Sequence, residues 1–201
     1  MKFRNIIWCL LAVLALASCK EEDDAVEEYA NWQATNDTYY SNLVSETKQK
    51  IDKGQTTWSL LPCYTMPEEY YTFGYSDYVV VEKLEQGGGS TSPFLTDSVT
   101  VHYQGRLLPS ASYSRGYIFD QSYAGTFDPI TATPSKFVVG GLVKGFSTAL
   151  MHMHRGDRWR IYIPYQLAYG SATRTGIPAY STLIFELQLE DFWRKTIGDR
   201  D

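Results

Sequence analysis

Cysteine is scarce in this chain, with three in 201 residues. Two of them, Cys9 and Cys19, lie at the extreme N-terminus, which leaves Cys63 alone. A disulfide framework in the rest of the chain is thereby excluded, and an isolated cysteine is most often a small buried hydrophobe. A nucleophilic Cys63 would need a nearby base, and the sequence shows none. No apolar run is long enough to cross a bilayer: the longest, Ile6 to Ala17, falls short of the ~20 residues required. Basic residues are outnumbered, 18 Lys and Arg against 23 Asp and Glu, for a formal charge of -5. No window lines Lys and Arg along one face, so a nucleic-acid partner is excluded.

Several catalytic signatures are missing too. Gly140 and Gly145 have the glycine spacing of a phosphate loop, but Phe146 occupies the position of its lysine. There is no G-x-S-x-G elbow, so acyl transfer by an activated serine has no support. The three histidines, His102, His152 and His154, meet no recognised ligand spacing. His152 falls on the polar side of a predicted helix, His154 in its exit turn and His102 on the outward face of a predicted strand. No metal and no cofactor is expected.

The composition that remains, 44% hydrophobic and 20% charged, is that of an ordinary globular protein with one main domain and appendages. Lys2 and Arg4 precede the apolar run to Ala17, which ends in small residues, so residues 1–18 have the layout of a secretory signal. The junction Leu16-Ala17-Ser18-Cys19 resembles the bacterial lipobox, which implies lipidation of Cys19 and membrane attachment through that anchor. Residues 19–25 carry the acidic run Glu21-Glu22-Asp23-Asp24, a solvated tether. The run also resembles the export signal of Bacteroidetes surface lipoproteins, which implies a cell-envelope protein at the outer membrane, with surface exposure one arrangement it allows.

Residues 26–76 read as a helical extension and linker. From Val26 to Asp52, Trp32, Tyr39 and Leu43, with Tyr40, Val44 and Ile51 beside them, recur at spacings of four and seven, the mark of one amphipathic helix or a broken pair. Lys53-Gly54 is its stop signal. The stripe either packs on the main domain or serves as an arm for homodimerisation. A linker rich in Pro and Tyr follows from Leu61 to Ser76.

Residues 77–195 form the main domain, and 196–201 a tail. Val99, Val101 and Tyr103 alternate with Thr100, His102 and Gln104; Trp159, Ile161 and Ile163 alternate with Arg158, Arg160 and Tyr162; and Phe185, Leu187 and Leu189 repeat the pattern. An earlier β-branched run from Tyr78 to Leu84 closes on Gly87-Gly88-Gly89. Phe146, Ala149, Leu150 and Met153 have the spacing of a helix with one apolar face, ended by Gly156-Asp157. One short helix across antiparallel strands is an α+β arrangement with a two-layer core.

An unusual aromatic set, Tyr103, Phe119, Phe137, Phe146, Tyr169 and Phe185, comes from different elements, with Asp120 directly after Phe119. A carboxylate within an apolar constellation is costly unless it is paired or useful. The motifs around these residues are VHYQG at 101–105, IFDQS at 118–122, KFVVGGLVKGF at 136–146, RWRIYIPYQLAYG at 158–170 and STLIFELQL at 181–189. Taken in order, they resemble the FKBP-type peptidyl-prolyl isomerases over a little more than half of the chain.

The resemblance implies an antiparallel half-barrel sheet wrapped around one short helix, with an apolar pocket between them. It places Tyr103, Phe119, Phe137, Leu142, Val143, Ile177 and Phe185 around the pocket and Phe146 at its floor. Tyr169 would point its hydroxyl into the mouth, the Val143 N–H would receive a ligand carbonyl, and Asp120 would be the pocket carboxylate. Asp120, Tyr169 and Tyr103 are the catalytic set so implied. Proline-containing polypeptides are the implied substrates, and macrolides of the kind that fill such pockets the implied inhibitors.

Three departures from the pattern stand out. Phe146 replaces a tryptophan at the floor, and Ser135 replaces an aromatic residue. The segment Tyr123 to Thr133 is long, and is expected to cover the pocket's edge. The loop after Tyr169, SATRTGIPAYS, keeps only Ile177-Pro178 of the usual proline pair. Ser135, Phe146 and the altered loop favour the alternative of a catalytically weak chaperone or surface binding module on the same fold.

Overall fold

The computed structural model describes residues 27–66 and 72–194. The secretory signal over 1–18, Cys19 and its acidic tether, and the tail over 196–201 lie outside the described residues. Among the described residues no helix is long and apolar enough to cross a membrane.

Helix α1 spans Trp32–Asp52 as one unbroken element. It begins later than the apolar periodicity suggests, because Asn31 takes a left-handed conformation (φ 51°), which asparagine tolerates but which does not propagate a right-handed helix. Strand β1 (Trp58–Pro62) follows, then β2 (Tyr78–Glu85), β3 (Ser98–Arg106), β4 (Ile118–Gln121) and β5 (Ser135–Val138). Helix α2 (Lys144–Leu150) precedes β6 (Arg158–Ile163) and β7 (Leu183–Trp193). β1 therefore begins ahead of the stretch read as a linker and runs into its first two residues, Leu61 and Pro62: it pairs antiparallel with β2, from Trp58 opposite Glu82 to Pro62 opposite Tyr78. Its five residues show no alternation of their own, and the pairing with β2 makes them a strand.

All seven strands form one antiparallel sheet in the order β1-β2-β6-β7-β3-β4, with β5 also paired to β3. Period-two alternation assigns its faces. Val79 and Val81, Val99 and Val101, Ile161 and Ile163, and Leu187 and Leu189 point to the inner face, where Phe146, Ala149 and Leu150 of α2 close the main core. Gly145 permits this approach, since a Cβ there would lie 2.3 Å from Cγ2 of Ile163. Met153 lies beyond the last turn of α2 yet is fully buried. Cys63 is a buried hydrophobe 3.3 Å from the Thr65 hydroxyl.

The outer face is covered in two places. Tyr40, Leu43 and Val44 of α1 pack on Val80 and Tyr162, so β2 is buried on both sides. The Tyr40 hydroxyl is fully enclosed within 2.9 Å of the Tyr78 and Tyr162 carbonyls, and accepts from the Val80 N–H at 3.3 Å. Asn36 donates to the Trp32 carbonyl at 2.7 Å and accepts from the Thr182 N–H at 2.7 Å. The apolar stripe of α1 is thus spent on its own domain, and its outward side carries Gln33, Asn42, Ser45, Lys48 and Gln49. Ile51, read as part of the stripe, is 39% exposed.

The second cover is the segment after β4. Tyr123 and Phe127 meet at 4.9 Å between ring centroids, Phe127 lies 5.2 Å from the His102 ring, and the Arg158 guanidinium sits 5.1 Å from the Phe127 centroid. His102 is therefore only 3% exposed, although its strand position faces away from the core. None of residues 123–133 lines the aromatic cavity, so the expectation that this segment covers the pocket's edge is corrected: Phe127 finds its apolar partners on the opposite face of the sheet.

Candidate active site

On the inner side, between β3, β4, β5, the start of α2 and β7, lies a cavity of about 260 Å³ lined by aromatic rings. Tyr103 of β3, Phe119 of β4, Phe137 of β5 and Phe185 of β7 reach it because each occupies an inward register position. Phe146, on the first turn of α2, lines it as well and is 4% exposed. Phe185 meets both Phe119 (5.5 Å) and Phe146 (5.0 Å) edge-on at 90°, the geometry in which a positive ring edge meets a negative face. The Gly105 of VHYQG makes the first contact possible: a Cβ there would lie 2.5 Å from Phe185 and 2.7 Å from Phe119. Tyr103 completes the set at 5.8 Å from Phe137, 6.4 Å from Phe146 and 6.3 Å from Phe185.

Two polar groups enter this lining from side chains already in place. The Tyr103 hydroxyl donates to Asp120 Oδ2 at 2.8 Å, and Oδ1 of the same carboxylate accepts the Gln121 N–H at 2.9 Å. Burial, then the hydrogen bond and charge of Asp120, push the Tyr103 phenol well above its ordinary value, and the nearby Ser135 hydroxyl only partly opposes them. Tyr103 therefore stays a neutral donor. The Tyr169 hydroxyl has no hydrogen-bond partner among the described residues, and its ring is 37% exposed at the mouth. The Val143 main-chain N–H likewise has no acceptor among the described residues, because Val143 is the residue before α2, where helix N–H groups are unspent.

Of the residues read from the sequence, Tyr103, Phe119, Asp120, Phe137, Leu142, Val143, Phe146, Tyr169 and Phe185 are brought together around one cavity. Gly141 lines it too and was not anticipated, since a residue without a side chain leaves no signal beyond its motif. Ile177 is the exception. It is buried in the core and lines a neighbouring groove, not the cavity. It stands in a tight turn: Arg174 and Ile177 exchange both main-chain hydrogen bonds at 2.9 Å, with Gly176 at φ 72° between them. Ser135 pairs with Val101 and does not line the cavity. The histidines are dispersed, His102 under Phe127 and His152 and His154 beside Asp157 in a polar groove elsewhere.

This geometry agrees with relationships in sequence. The family model for FKBP-type peptidyl-prolyl cis-trans isomerase matches residues 89–190, just over half of the chain. The chain belongs to that family. Among similar FKBP-family proteins is the macrophage infectivity potentiator of Trypanosoma cruzi, 38% identical over 188 residues that make up 93% of this chain and 82% of that protein. The peptidyl-prolyl cis-trans isomerase Mip of Coxiella burnetii is 39% identical over 108 residues, 53% of this chain and 42% of that protein. The chain thus spans less than half the length of that bacterial relative. A solved peptidyl-prolyl cis-trans isomerase of Pseudomonas syringae pv. tomato covers 77% of this chain and 94% of its own at a TM-score of 0.51 and 24% identity, a likeness of fold. The FKBP-type match includes every cavity residue named above, and α1 lies ahead of it.

Proposed function

We propose that the protein isomerises X-Pro bonds in the aromatic cavity without covalent chemistry, with Tyr103, Asp120 and Tyr169 as its polar residues, and that its clients are exported polypeptides folding at the cell envelope. Rotation about a peptide bond crosses a barrier of about 18–20 kcal/mol because resonance makes the bond partly double. Uncatalysed X-Pro isomerisation takes tens to hundreds of seconds and limits folding. The enzyme has only to bind the twisted amide better than either planar form. A twisted amide has lost conjugation, so its carbonyl is less polar and is better matched to a lining of Phe119, Phe137, Phe146 and Phe185 than the planar amide is.

The observation that carries this reading is the pairing of that aromatic lining with a carboxylate held by Tyr103 at 2.8 Å. Asp120 keeps the hydroxyl of Tyr103 directed and the wall ordered. Tyr169 at the mouth and the Val143 N–H supply donors for carbonyls that flank the proline. Lipid attachment at Cys19, outer-membrane residence and macrolide binding in the cavity belong to the same reading.

The test is an isomerisation assay on a short X-Pro peptide, with and without a macrolide. Acceleration that the macrolide blocks and that Asp120→Ala weakens supports the proposal. A folded protein that neither accelerates the reaction nor binds the macrolide refutes it, and macrolide binding without acceleration favours the binding-module alternative.

A further inference from the structure

Beside the aromatic cavity lies a second concavity of about 550 Å³ whose lining includes Tyr29, Tyr113, Tyr117, Arg174, Ile177 and Pro178. It joins three parts of the chain that are distant in sequence: the stretch before α1, the loop between β3 and β4, and the loop that leads into β7. Hydrogen bonds and ring contacts hold the three together. The Glu28 carboxylate accepts from the Ser110 hydroxyl and from the Ser112 N–H at 3.0 and 3.2 Å. Tyr29 meets Trp32 edge-on at 4.8 Å, and the Trp32 indole N–H donates to Ser181 Oγ at 2.8 Å. Tyr113 and Tyr117 meet edge-on at 5.0 Å.

The groove adjoins the cavity without sharing a lining residue with it. Tyr117 precedes Phe119 by two residues, and a Cβ on Gly176 would sit 3.0 Å from the Tyr117 ring and 3.7 Å from the Phe119 Cβ. The Arg174 guanidinium lies 5.5 Å from the centroid of Tyr169 at the cavity mouth. The cavity alone, at about 260 Å³, is smaller than the ~300 Å³ at which compact ligand sites begin, so it holds a proline and little more. A polypeptide seated there must continue over adjoining surface, and this groove is adjoining surface with an aromatic lining.

We propose that the groove is an accessory subsite for the client polypeptide, taking an extended stretch that flanks the X-Pro bond and packing one of its apolar or aromatic side chains against Tyr29, Tyr113 and Tyr117. The proposal rests on the isomerase reading of the cavity. Arg174 at the junction offers a cationic donor to a carbonyl or carboxylate of the same stretch. Because Tyr29 comes from outside the family-matched region, the N-terminal extension acts here as a specificity element.

The test uses the full chain and three peptides: a short X-Pro peptide, and the same peptide lengthened on the N-terminal or on the C-terminal side by an extended stretch bearing leucine and phenylalanine. Wild type is expected to turn over one lengthened peptide with kcat/KM higher by roughly tenfold or more, the effect of a well-packed apolar contact. Tyr29→Ala and Tyr113→Ala should each remove most of that gain and leave the short peptide's rate unchanged. Tyr113 is 43% exposed on its loop, so its removal tests the groove even if Tyr29→Ala loosens the contact with Trp32. Equal rates for all three peptides, a gain retained in both variants, or an equal loss on the short peptide overturns the proposal. If the short peptide is not turned over at all, the isomerase reading fails by itself. The groove is then judged by fluorescence anisotropy of the labelled long peptides, where binding that Tyr113→Ala abolishes supports it and binding that Tyr113→Ala leaves unchanged, or no binding, rejects it.

Discussion

The hydrogen bond between Tyr103 and Asp120 can be isolated by a double-mutant cycle. Tyr103→Phe removes one hydroxyl and keeps the ring that meets Phe137, Phe146 and Phe185, so the walls of the cavity stay in place. Asp120→Ala removes the acceptor. A hydrogen bond to a charged group contributes about 1.5–3 kcal/mol. Asp120 is exposed at the rim and keeps the Gln121 N–H at 2.9 Å, so water replaces part of the loss and the lower end applies. About 1.4 kcal/mol is tenfold in rate. Each single variant should therefore lower kcat/KM on a short X-Pro peptide by about tenfold, and the double variant should be no worse than the weaker single one, a coupling of about 1.4 kcal/mol. Line-shape or exchange NMR on the peptide's two isomers gives the rates without a coupled protease. If the losses add to about a hundredfold, the two residues act separately and the ordering role assigned to their hydrogen bond is wrong.

Three further predictions concern the frame around the site. Tyr40→Phe removes a fully buried hydroxyl that accepts from the Val80 N–H and lies 2.9 Å from the Tyr78 and Tyr162 carbonyls, and should lower the stability of the fold by about 1–3 kcal/mol in urea titration; a loss below ~0.5 kcal/mol would mean that α1 is not anchored through this hydroxyl. Asn36→Ala takes the acceptor from the Thr182 N–H at the entry to β7, and hydrogen exchange at that amide should rise more than at the amides of β3, whereas uniform exchange would show that the bond does not hold the loop. Burial alone would raise the Glu186 carboxyl, but Arg160 and Arg158, donating at 2.7 and 3.1 Å, hold it below its ordinary value. A depressed carboxylate stabilises the fold above its unfolded pKa and loses that contribution as pH falls through the folded one. Stability followed by tryptophan fluorescence should decline as pH drops below the ordinary glutamate range, and Glu186→Gln should flatten that decline; an unaltered slope would show that the arginine pair contributes nothing.

The strands that alternate strictly, β3, β6 and β7, were legible because period two is a local signal that names the inner face residue by residue. The residues Tyr103, Asp120, Phe137, Phe146, Tyr169 and Phe185 were legible in another way, through the resemblance of their ordered motifs to the FKBP family, and the fold brings them to one cavity. Long-range partners left no such trace. Trp58–Pro62 is a strand through its pairing with β2, and Asn36 and Thr47 are buried polar residues on α1, with Asn36 satisfied by Thr182, 146 positions away. Ile177 stands in a tight turn with a left-handed Gly176 and lines the neighbouring groove, and the segment around Phe127 leaves the pocket's edge because its rings meet His102 and Arg158 across the sheet.

The sequence by itself determined the side-chain inventory, an aromatic set with a carboxylate beside it, and the ordered motifs that resemble the FKBP family; the pocket was what that resemblance implied. Only the tertiary structure decided which surfaces adjoin it: that α1 covers the back of the sheet and that Tyr29 stands beside the cavity. The physical reason is that apolar burial is non-directional, so a stripe of apolar residues states that it will be covered but not by what.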